Sequence, residues 1–250
     1  MRILYNTGIL LYGFSIFIAS FFNEKARKWR RGRKGIFVKL SETITDSNQP
    51  LAWFHCASLG EFEQGRPVIE TFRKKFPNYK ILLTFFSPSG YENRKDYKEV
   101  DYVFYLPLDT PSHAKKFIAI AKPAVAVFVK YEFWFNYLNE LKKNEIPAFL
   151  ISAKFRKDQH FFKATGIWFR KQLHTYHTLF VQDESSEILL KKYGINNVTL
   201  CGDSRFDRVI NVSQEPYKNS LIENFKGHQN LWICGSTWEE DEKLIFPLLE

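Results

Sequence analysis

Leu51-Ala52-Trp53-Phe54-His55-Cys56-Ala57-Ser58-Leu59-Gly60-Glu61-Phe62-Glu63-Gln64-Gly65-Arg66-Pro67 is the stretch whose reading decides the fold. Its first seven residues form an apolar run of strand length, and Ser58-Leu59-Gly60 breaks that run with small residues. Glu61 then opens a segment with helical spacing. Strand, tight turn and helix in this order make the repeating unit of open α/β sheets, whose ligands bind where the strands end. A carboxylate in the first turn of a helix lies beside unpaired backbone N–H groups, so Glu61 is expected to be held ionised at neutral pH. An acidic residue there also has an ordinary structural use, complementing the helix dipole, and the local pattern fits both uses.

Further short apolar runs at 80–86, 102–105, 124–129, 148–152, 178–181 and 198–201 join 51–57 as predicted strands. Between them, helical spacing predicts helices at about 61–76, 111–121, 132–144, 158–173 and 184–193, with Ser87-Pro88-Ser89-Gly90 read as a turn. Apolar strands alternating with helices imply a parallel sheet covered on both faces, an α/β fold. After Asp207 the character changes: residues 208–230 read as linker with a short helix. A new strand at 231–234 then runs into Gly235-Ser236-Thr237 and the acidic helix start Glu239-Glu240-Asp241-Glu242. One β–α unit cannot bury both its faces, so residues 231–250 are expected to begin a second, truncated α/β lobe, and the chain to be a fragment.

An apolar fraction of 45% with 25 phenylalanines in 250 residues provides for a real core and excludes a disordered chain. Cys56, Cys201 and Cys234 are too widely spaced for a C-x-x-C site and are expected to be small core residues in a reducing compartment. Residues 1–35 carry a net charge of +7, leaving +2 of the total +9 for the remainder. That asymmetry argues against a nucleic-acid partner and for a near-neutral domain with a basic collar. The collar follows residues 3–22, an uncharged segment in which 14 of 20 residues are apolar. Twenty residues can cross a bilayer or lie in its interface, both anchoring readings being set against a buried soluble helix, while the poor Ala19-Ser20 cleavage site and the charge after the run argue against a signal peptide. Positive charge after the segment puts the following domain on the cytoplasmic face of the membrane, where the collar would attract anionic head groups. G-x-G-x-x-G and G-x-x-x-x-G-K-[ST] are both missing, so nothing points to a dinucleotide or ATP site. His174 and His177 lack a third partner, and no metal is expected.

The string from Trp53 to Pro67 resembles the W-x-H-x-x-S-x-G-E-x-x-x-x-x-P motif of the lipid A Kdo transferases. Four further segments resemble that family in order. Lys130-Tyr131-Glu132-Phe133-Trp134 is similar to E-x-E-x-W-P, with Lys130 in place of the first acid and Phe135 in place of the proline. Ser152-Ala153-Lys154-Phe155-Arg156 is similar to N-A-R-x-S, although Asn and the closing Ser are absent. Gly202-Asp203-Ser204-Arg205-Phe206-Asp207 is similar to G-N-x-K-F-D with Arg for Lys. Gly235-Ser236-Thr237-Trp238-Glu239-Glu240 is similar to the S-T-H-x-G-E-E start of the donor lobe, with Trp238 for His.

The resemblance implies a GT-B architecture of two Rossmann-like lobes. Residues 1–35 would be membrane-associated, 36–207 the acceptor-side lobe, 208–230 a linker and 231–250 the truncated start of the donor lobe. It implies an inverting glycosyltransferase of lipopolysaccharide biosynthesis at the inner membrane, moving Kdo from CMP-Kdo to a lipid A precursor without a further cofactor. Glu61 would be the general base, with Gly60, Glu132, Lys154 and Arg156 on the acceptor and Arg205, Ser236 and Thr237 on the donor. Two alternatives stay open: a membrane-associated GT-B enzyme using a UDP-sugar, and a non-enzymatic, membrane-docked binding domain.

Overall fold

The computed structural model describes residues 1–44, 48–214 and 219–248, without the side chains of residues 208 and 211. It divides into two compact units, Met1–Ile210 and Asn211–Glu250. Three helices open the chain, α1 (Arg2–Ala19), α2 (Glu24–Gly32) and α3 (Ile36–Thr43). Strands and helices then alternate: β1 (Leu51–Cys56), α4 (Leu59–Lys75), β2 (Lys80–Phe85), α5 (Pro88–Arg94), β3 (Tyr102–Tyr105), α6 (Pro111–Ala121), β4 (Val125–Val129) and α7 (Phe135–Lys143). They continue as β5 (Ala148–Ala153), α8 (Ile167–Gln172), β6 (Thr178–Val181), α9 (Glu184–Lys192), β7 (Val198–Leu200), α10 (Ser204–Gln214), α11 (Ser220–Lys226) and α12 (Glu239–Ile245).

All seven predicted strands form, and they make one parallel sheet in the order β3-β2-β1-β4-β5-β6-β7. Every residue of β1 is buried, as a central strand covered on both faces requires. Alternation along the strand sends Trp53 to one face and Ala52, Phe54 and Cys56 to the other. The Trp53 face packs under α3, α6 and α7 through Leu40, Phe117, Tyr137 and Leu138; the opposite face packs under α4 through Phe62 and Ile69. The chain winds outward from β1 to β3, then returns to lay β4 on the other side of β1. The reversal opens a crevice between the carboxyl ends of β1 and β4, the place where open α/β sheets bind ligands.

Several boundaries differ from expectation for identifiable reasons. The Ser87-Pro88-Ser89-Gly90 turn is instead the start of α5: Ser87 Oγ accepts the Ser89 N–H and Pro88 occupies the first helical turn. The helix expected from 132 begins only at Phe135, because Lys130 takes a left-handed backbone (φ 72°) and the following residues turn Glu132 inward. The helix expected over 158–173 breaks into short 3₁₀ turns around α8. Gly166 sits where a Cβ would lie 1.7 Å from the His160 carbonyl oxygen, a close approach that a continuous helix would not make. Cys56 is buried as expected, whereas Cys201 and Cys234 are exposed.

In the second unit, the strand expected at 231–234 has no regular secondary structure, while the helix after it forms as α12. No described residue of this unit is buried, and Phe225, Trp232 and Ile233 stay exposed. A lone strand has no neighbour to take its backbone hydrogen bonds, which is sufficient reason for its absence. Residues 215–218 of the expected linker and the last two residues lie outside the described ones.

α1 is the one helix among the described residues long and apolar enough to cross a membrane, yet one of its sides is docked on the first unit. The Tyr5 hydroxyl donates to Asp109 Oδ2 at 2.6 Å, and Asn136 Nδ2 donates to Asn6 Oδ1 at 3.0 Å. Further along, Gly13 leaves room for Leu108, and Tyr12 stacks on Phe86 at 6.0 Å. The other side of α1 exposes Ile3, Leu4, Leu10, Leu11, Phe14 and Ile18. α2 is fastened by Arg33, which donates to the carbonyls of Leu106 and Phe86 at 2.8 Å each.

Asp109, fully buried, also accepts the Asn136 and Tyr137 N–H groups at 3.1 Å each and so satisfies the open end of α7. Burial pushes its carboxyl up to about 6, against the pull of those donors. Replacing Tyr5 by Phe removes one donor from this carboxylate and should loosen α1 by ~1.5–3 kcal/mol. Hydrogen exchange should then quicken along α1 while α4 stays protected; unchanged protection of α1 would show that the Tyr5–Asp109 bond does not hold it.

Candidate active site

β1 delivers the chain to the crevice at Cys56, and Ser58 caps α4 in an extended conformation, its Oγ accepting the Glu61 N–H at 3.5 Å. Glu61 Oε2 reciprocates, accepting the Ala57 N–H at 2.5 Å and the Ser58 N–H at 3.2 Å. This is a capping box, so the structural use of the residue is real. It occupies only one oxygen. Among the described residues Oε1 takes no hydrogen bond, and the half-buried side chain forms no ion pair. Gly60, beside it, is exposed, has no positive φ, and a Cβ there would meet nothing within 4 Å. Its missing side chain therefore leaves open surface next to Glu61 rather than serving a backbone conformation.

The carboxyl of Glu61 is pushed up to about 7. Burial contributes most and the neighbouring Glu132 next, while the Ala57 and Ser58 amides and Lys130 pull the other way. The helix start does favour the ionised form, as the sequence implies, but desolvation and a like charge outweigh it. The expectation of a carboxylate held firmly ionised is corrected accordingly. Glu61 is a group that exchanges a proton near neutrality, the range that suits a general base.

Glu132, buried, enters the crevice from the end of β4. Its Oε2 lies 3.0 Å from His55 Nε2 and accepts the Trp134 Nε1–H. His55, fully buried on β1, has its Nδ1 2.8 Å from Thr84 Oγ1, which also accepts the Trp53 Nε1–H at 2.8 Å. Trp53 donates to Thr84, and His55 bridges Thr84 and Glu132 through its two ring nitrogens, with the Thr84 carbonyl also 3.1 Å from Nδ1 and Trp134 Nε1 3.1 Å from Nε2. The Tyr176 hydroxyl donates to the Glu132 carbonyl and fixes the loop from below. His55 of β1 and Trp134 of its own loop thus hold the Glu132 carboxylate, whose negative charge raises the proton affinity of Glu61.

The other predicted site residues are less gathered. Lys154, just past β5, pairs with Asp183 at 3.1 Å, and exposed Arg156 lies 3.5 Å from Asp158. Neither bonds to Glu61 or Glu132 among the described residues. Arg205, at the start of α10, is forked onto Asp203, with Nε at 3.1 Å from Oδ1. In the second unit, Ser236 is exposed with a left-handed backbone (φ 58°), and Thr237 Oγ1 donates to Glu242 at 3.0 Å. Sequence reasoning overlooked His55, Thr84 and Lys130. The first had a signal, an ionisable residue in the middle of a wholly apolar strand, which must find a partner when buried. Among the described residues no three metal-ligating side chains cluster.

Residues 28–208 match the family described as 3-Deoxy-D-manno-octulosonic-acid transferase (kdotransferase). The chain belongs to this family. Two relatives named 3-deoxy-D-manno-octulosonic acid transferase are 24% identical over 199 residues (Haemophilus influenzae) and 30% over 191 residues (Chlamydia trachomatis). The alignments cover 77% and 73% of this chain but only 46% and 42% of those proteins. The chain thus spans about half the length of the curated relatives it matches. Among solved structures, a putative UDP-N-acetylglucosamine 2-epimerase from Listeria monocytogenes superposes with a TM-score of 0.54 at 10% identity, over 71% of this chain and 52% of that one. The Neisseria meningitidis UDP-GlcNAc 2-epimerase bound to UDP-GlcNAc gives 0.51 at 16% identity, over 81% and 55%. At such identities the likeness speaks for the fold alone, a Rossmann-like lobe of the GT-B type.

The raised Glu61 carboxyl has a consequence for stability. Its folded value of about 7 exceeds the ordinary 4.5, so the folded state holds this proton more tightly than the unfolded chain. The contribution is fully present below the unfolded value and is lost as pH rises through the folded one. Glu61→Gln should therefore be little changed in stability at acid pH and more stable than the parent at alkaline pH, by up to about 3 kcal/mol. Urea unfolding at the two extremes measures it; an equal effect at both would mean that Glu61 titrates normally.

Proposed function

We propose that this chain is the acceptor-side part of an inverting Kdo transferase in which Glu61 is the general base. The observation that carries the reading is Glu61 itself. It is half-buried at the switch point of the sheet, with Oε1 unoccupied and its carboxyl pushed up to about 7. An acceptor hydroxyl entering the crevice between β1 and β4 would give its proton to Glu61 as its oxygen attacks the anomeric carbon of the donor from the side opposite the leaving group. CMP is the donor's nucleotide in this reading, and it departs as a stabilised anion that needs little protonation. One base and a few positive groups are then chemically sufficient. Burial and Glu132 make Glu61 a stronger base than a surface glutamate. They also supply part of the driving force for proton transfer at neutral pH.

The acceptor in this reading is a lipid A precursor on the cytoplasmic face of the inner membrane. The exposed apolar side of α1 and the basic residues of α2 support that placement. Because the opposite side of α1 bonds to Asp109 and Asn136, the helix fits a position in the interface better than one across the bilayer. Glu132, fixed by His55 and Trp134, would orient an acceptor hydroxyl or a basic group, with Lys154 and Arg156 toward the lipid phosphates. Arg205, Ser236 and Thr237 would meet the donor, residues 36–207 forming the acceptor lobe and 231–250 the start of the donor lobe.

The test uses the full-length protein with CMP-Kdo and, separately, a UDP-sugar. Transfer should occur from CMP-Kdo and rise with pH through about 7 to a plateau. Glu61→Gln should lower turnover by roughly 10²–10⁴ with lipid binding retained. Transfer from the UDP-sugar alone would overturn the donor assignment. Full activity of Glu61→Gln would remove the base.

A further inference from the structure

Lys154, Arg156 and Arg205, the cations expected at the carboxyl edge of the sheet, each already face an acid. Lys154 lies 3.1 Å from Asp183, Arg156 3.5 Å from Asp158, and Arg205 is forked onto Asp203 at 2.9 and 3.1 Å. Lys130 differs. It is half-buried just past β4 and forms no ion pair among the described residues; its Nζ lies 5.7 Å from the centre of the Tyr131 ring. The backbone there is left-handed, φ 72°, which a residue with a side chain adopts at a cost.

The place of Lys130 is set from three sides. A Cβ on Gly65 would lie 2.8 Å from Val129 Cγ2, so α4 rests on the end of β4 immediately before Lys130. Glu61 is four residues before Gly65 on the same side of α4 and one turn nearer the carboxyl edge, which brings it level with Lys130. The Lys130 N–H donates to the Ile151 carbonyl at 2.8 Å, and Ser152, next on β5, has its Oγ 2.8 Å from Ser204 Oγ. Ser204 Oγ donates to the Gln64 carbonyl at 2.7 Å and so ties Asp203 and Arg205 to the first turns of α4. Burial and Glu132 push the Glu61 carboxyl up to about 7 while the Lys130 ammonium pulls the other way; Asp203, lowered chiefly by Arg205, also feels that ammonium.

The reaction fixes what must come to this place. In Kdo the carboxylate is attached to the anomeric carbon itself. An acceptor oxygen that attacks this carbon from beside Glu61 therefore meets a substrate carboxylate one bond from the reacting centre. The nucleotide phosphate departs on the opposite side, away from the base, whereas the carboxylate stays. It enters a crevice that already holds Glu61 and Glu132, where a third negative group is unfavourable without a counter-charge. We infer that the Lys130 ammonium is that counter-charge and binds the carboxylate of the donor sugar beside Glu61. The inference rests on the Kdo transferase reading above and adds to it the residue that receives the sugar acid. The E-x-E-x-W-P motif has an acid at this position, so the arrangement is this chain's own.

Steady-state transfer by the full-length protein, with CMP-Kdo and a lipid A precursor varied in turn, tests the inference in two variants. Lys130→Gly removes the charge and suits the left-handed backbone; Lys130→Arg keeps the charge. Lys130→Gly should raise KM for CMP-Kdo by about 10–100-fold while the inhibition constant of free CMP, which lacks the sugar acid, stays within about twofold. Lys130→Arg should recover most of the loss. The pH midpoint of kcat/KM should also move upward in Lys130→Gly, because a charge that favours ionised Glu61 is gone. The other ionisable neighbours stay as they are: Glu132 with His55 behind it, Asp203 with Arg205, and the Cys56 thiol, which burial keeps protonated. An unchanged KM for CMP-Kdo, or a KM and CMP inhibition constant that rise together, overturns the carboxylate site. A rise confined to the acceptor KM would give the ammonium to an acceptor phosphate and overturn it equally. An unmoved pH midpoint would place the ammonium away from Glu61, with the same result. If the parent protein transfers nothing from CMP-Kdo, the functional reading itself fails and the inference falls with it.

Discussion

The contact between His55 and Glu132 is the constraint on which the site depends. It joins the two strands that flank the switch point, one giving an imidazole and the other a carboxylate, both out of water. A buried carboxylate without partners would be too costly to keep. Here Trp134 donates to the same oxygen, and Thr84 with Trp53 completes the chain of donors behind His55. These partners hold the Glu132 carboxyl in place at the crevice. Its presence there, with desolvation, gives Glu61 a proton affinity that a surface helix cap would not have. The two carboxylates therefore divide the work. Glu132 is tied through Oε2 to two side chains and through its carbonyl to Tyr176, whereas Glu61 is tied through Oε2 to backbone amides alone.

The N-terminal helices use a related economy. Asp109 is a buried carboxylate that closes the end of α7 and, through Tyr5, accepts α1. α7 follows the loop that carries Glu132, so α1 and that loop are fastened to the same group. Arg33 plays the corresponding part for α2 without an acidic partner among the described residues. It is held by backbone carbonyls and by the faces of Trp29, Phe86 and Tyr105. Burial works against its charge, and only such a set of acceptors keeps it there. The apolar side of α1 is left uncovered by this arrangement, while its polar side is consumed in docking.

Much of this was legible in the sequence. The seven strands are short apolar runs bounded by small or polar residues, and their parallel arrangement follows from the helices between them. Glu61 and Glu132 were visible because each follows directly on a strand, the only place where a side chain on such a sheet can face a ligand. Less legible were elements governed by caps, turns and close steric contacts that hydrophobic periodicity does not register. α5 depends on Gly90 lying against Phe85, the break before α8 on Gly166 passing the His160 carbonyl, and the late start of α7 on Glu132 turning inward. The strand at 231–234 has the right residues and lacks a neighbouring strand, so local pattern overstated it.

What the sequence by itself determined was the alternating α/β order, the family, and which two acids end the strands beside the crevice. Those features are local, written in apolar runs and in the residues that stop them. The protonation behaviour of Glu61 was decided only in three dimensions, because it arises from burial and from a charge 71 positions away in the chain. The same holds for the role of His55, whose partners come from β2 and from the loop after β4. Desolvation and like-charge proximity depend on which groups the fold brings together, and no window of sequence contains that distance.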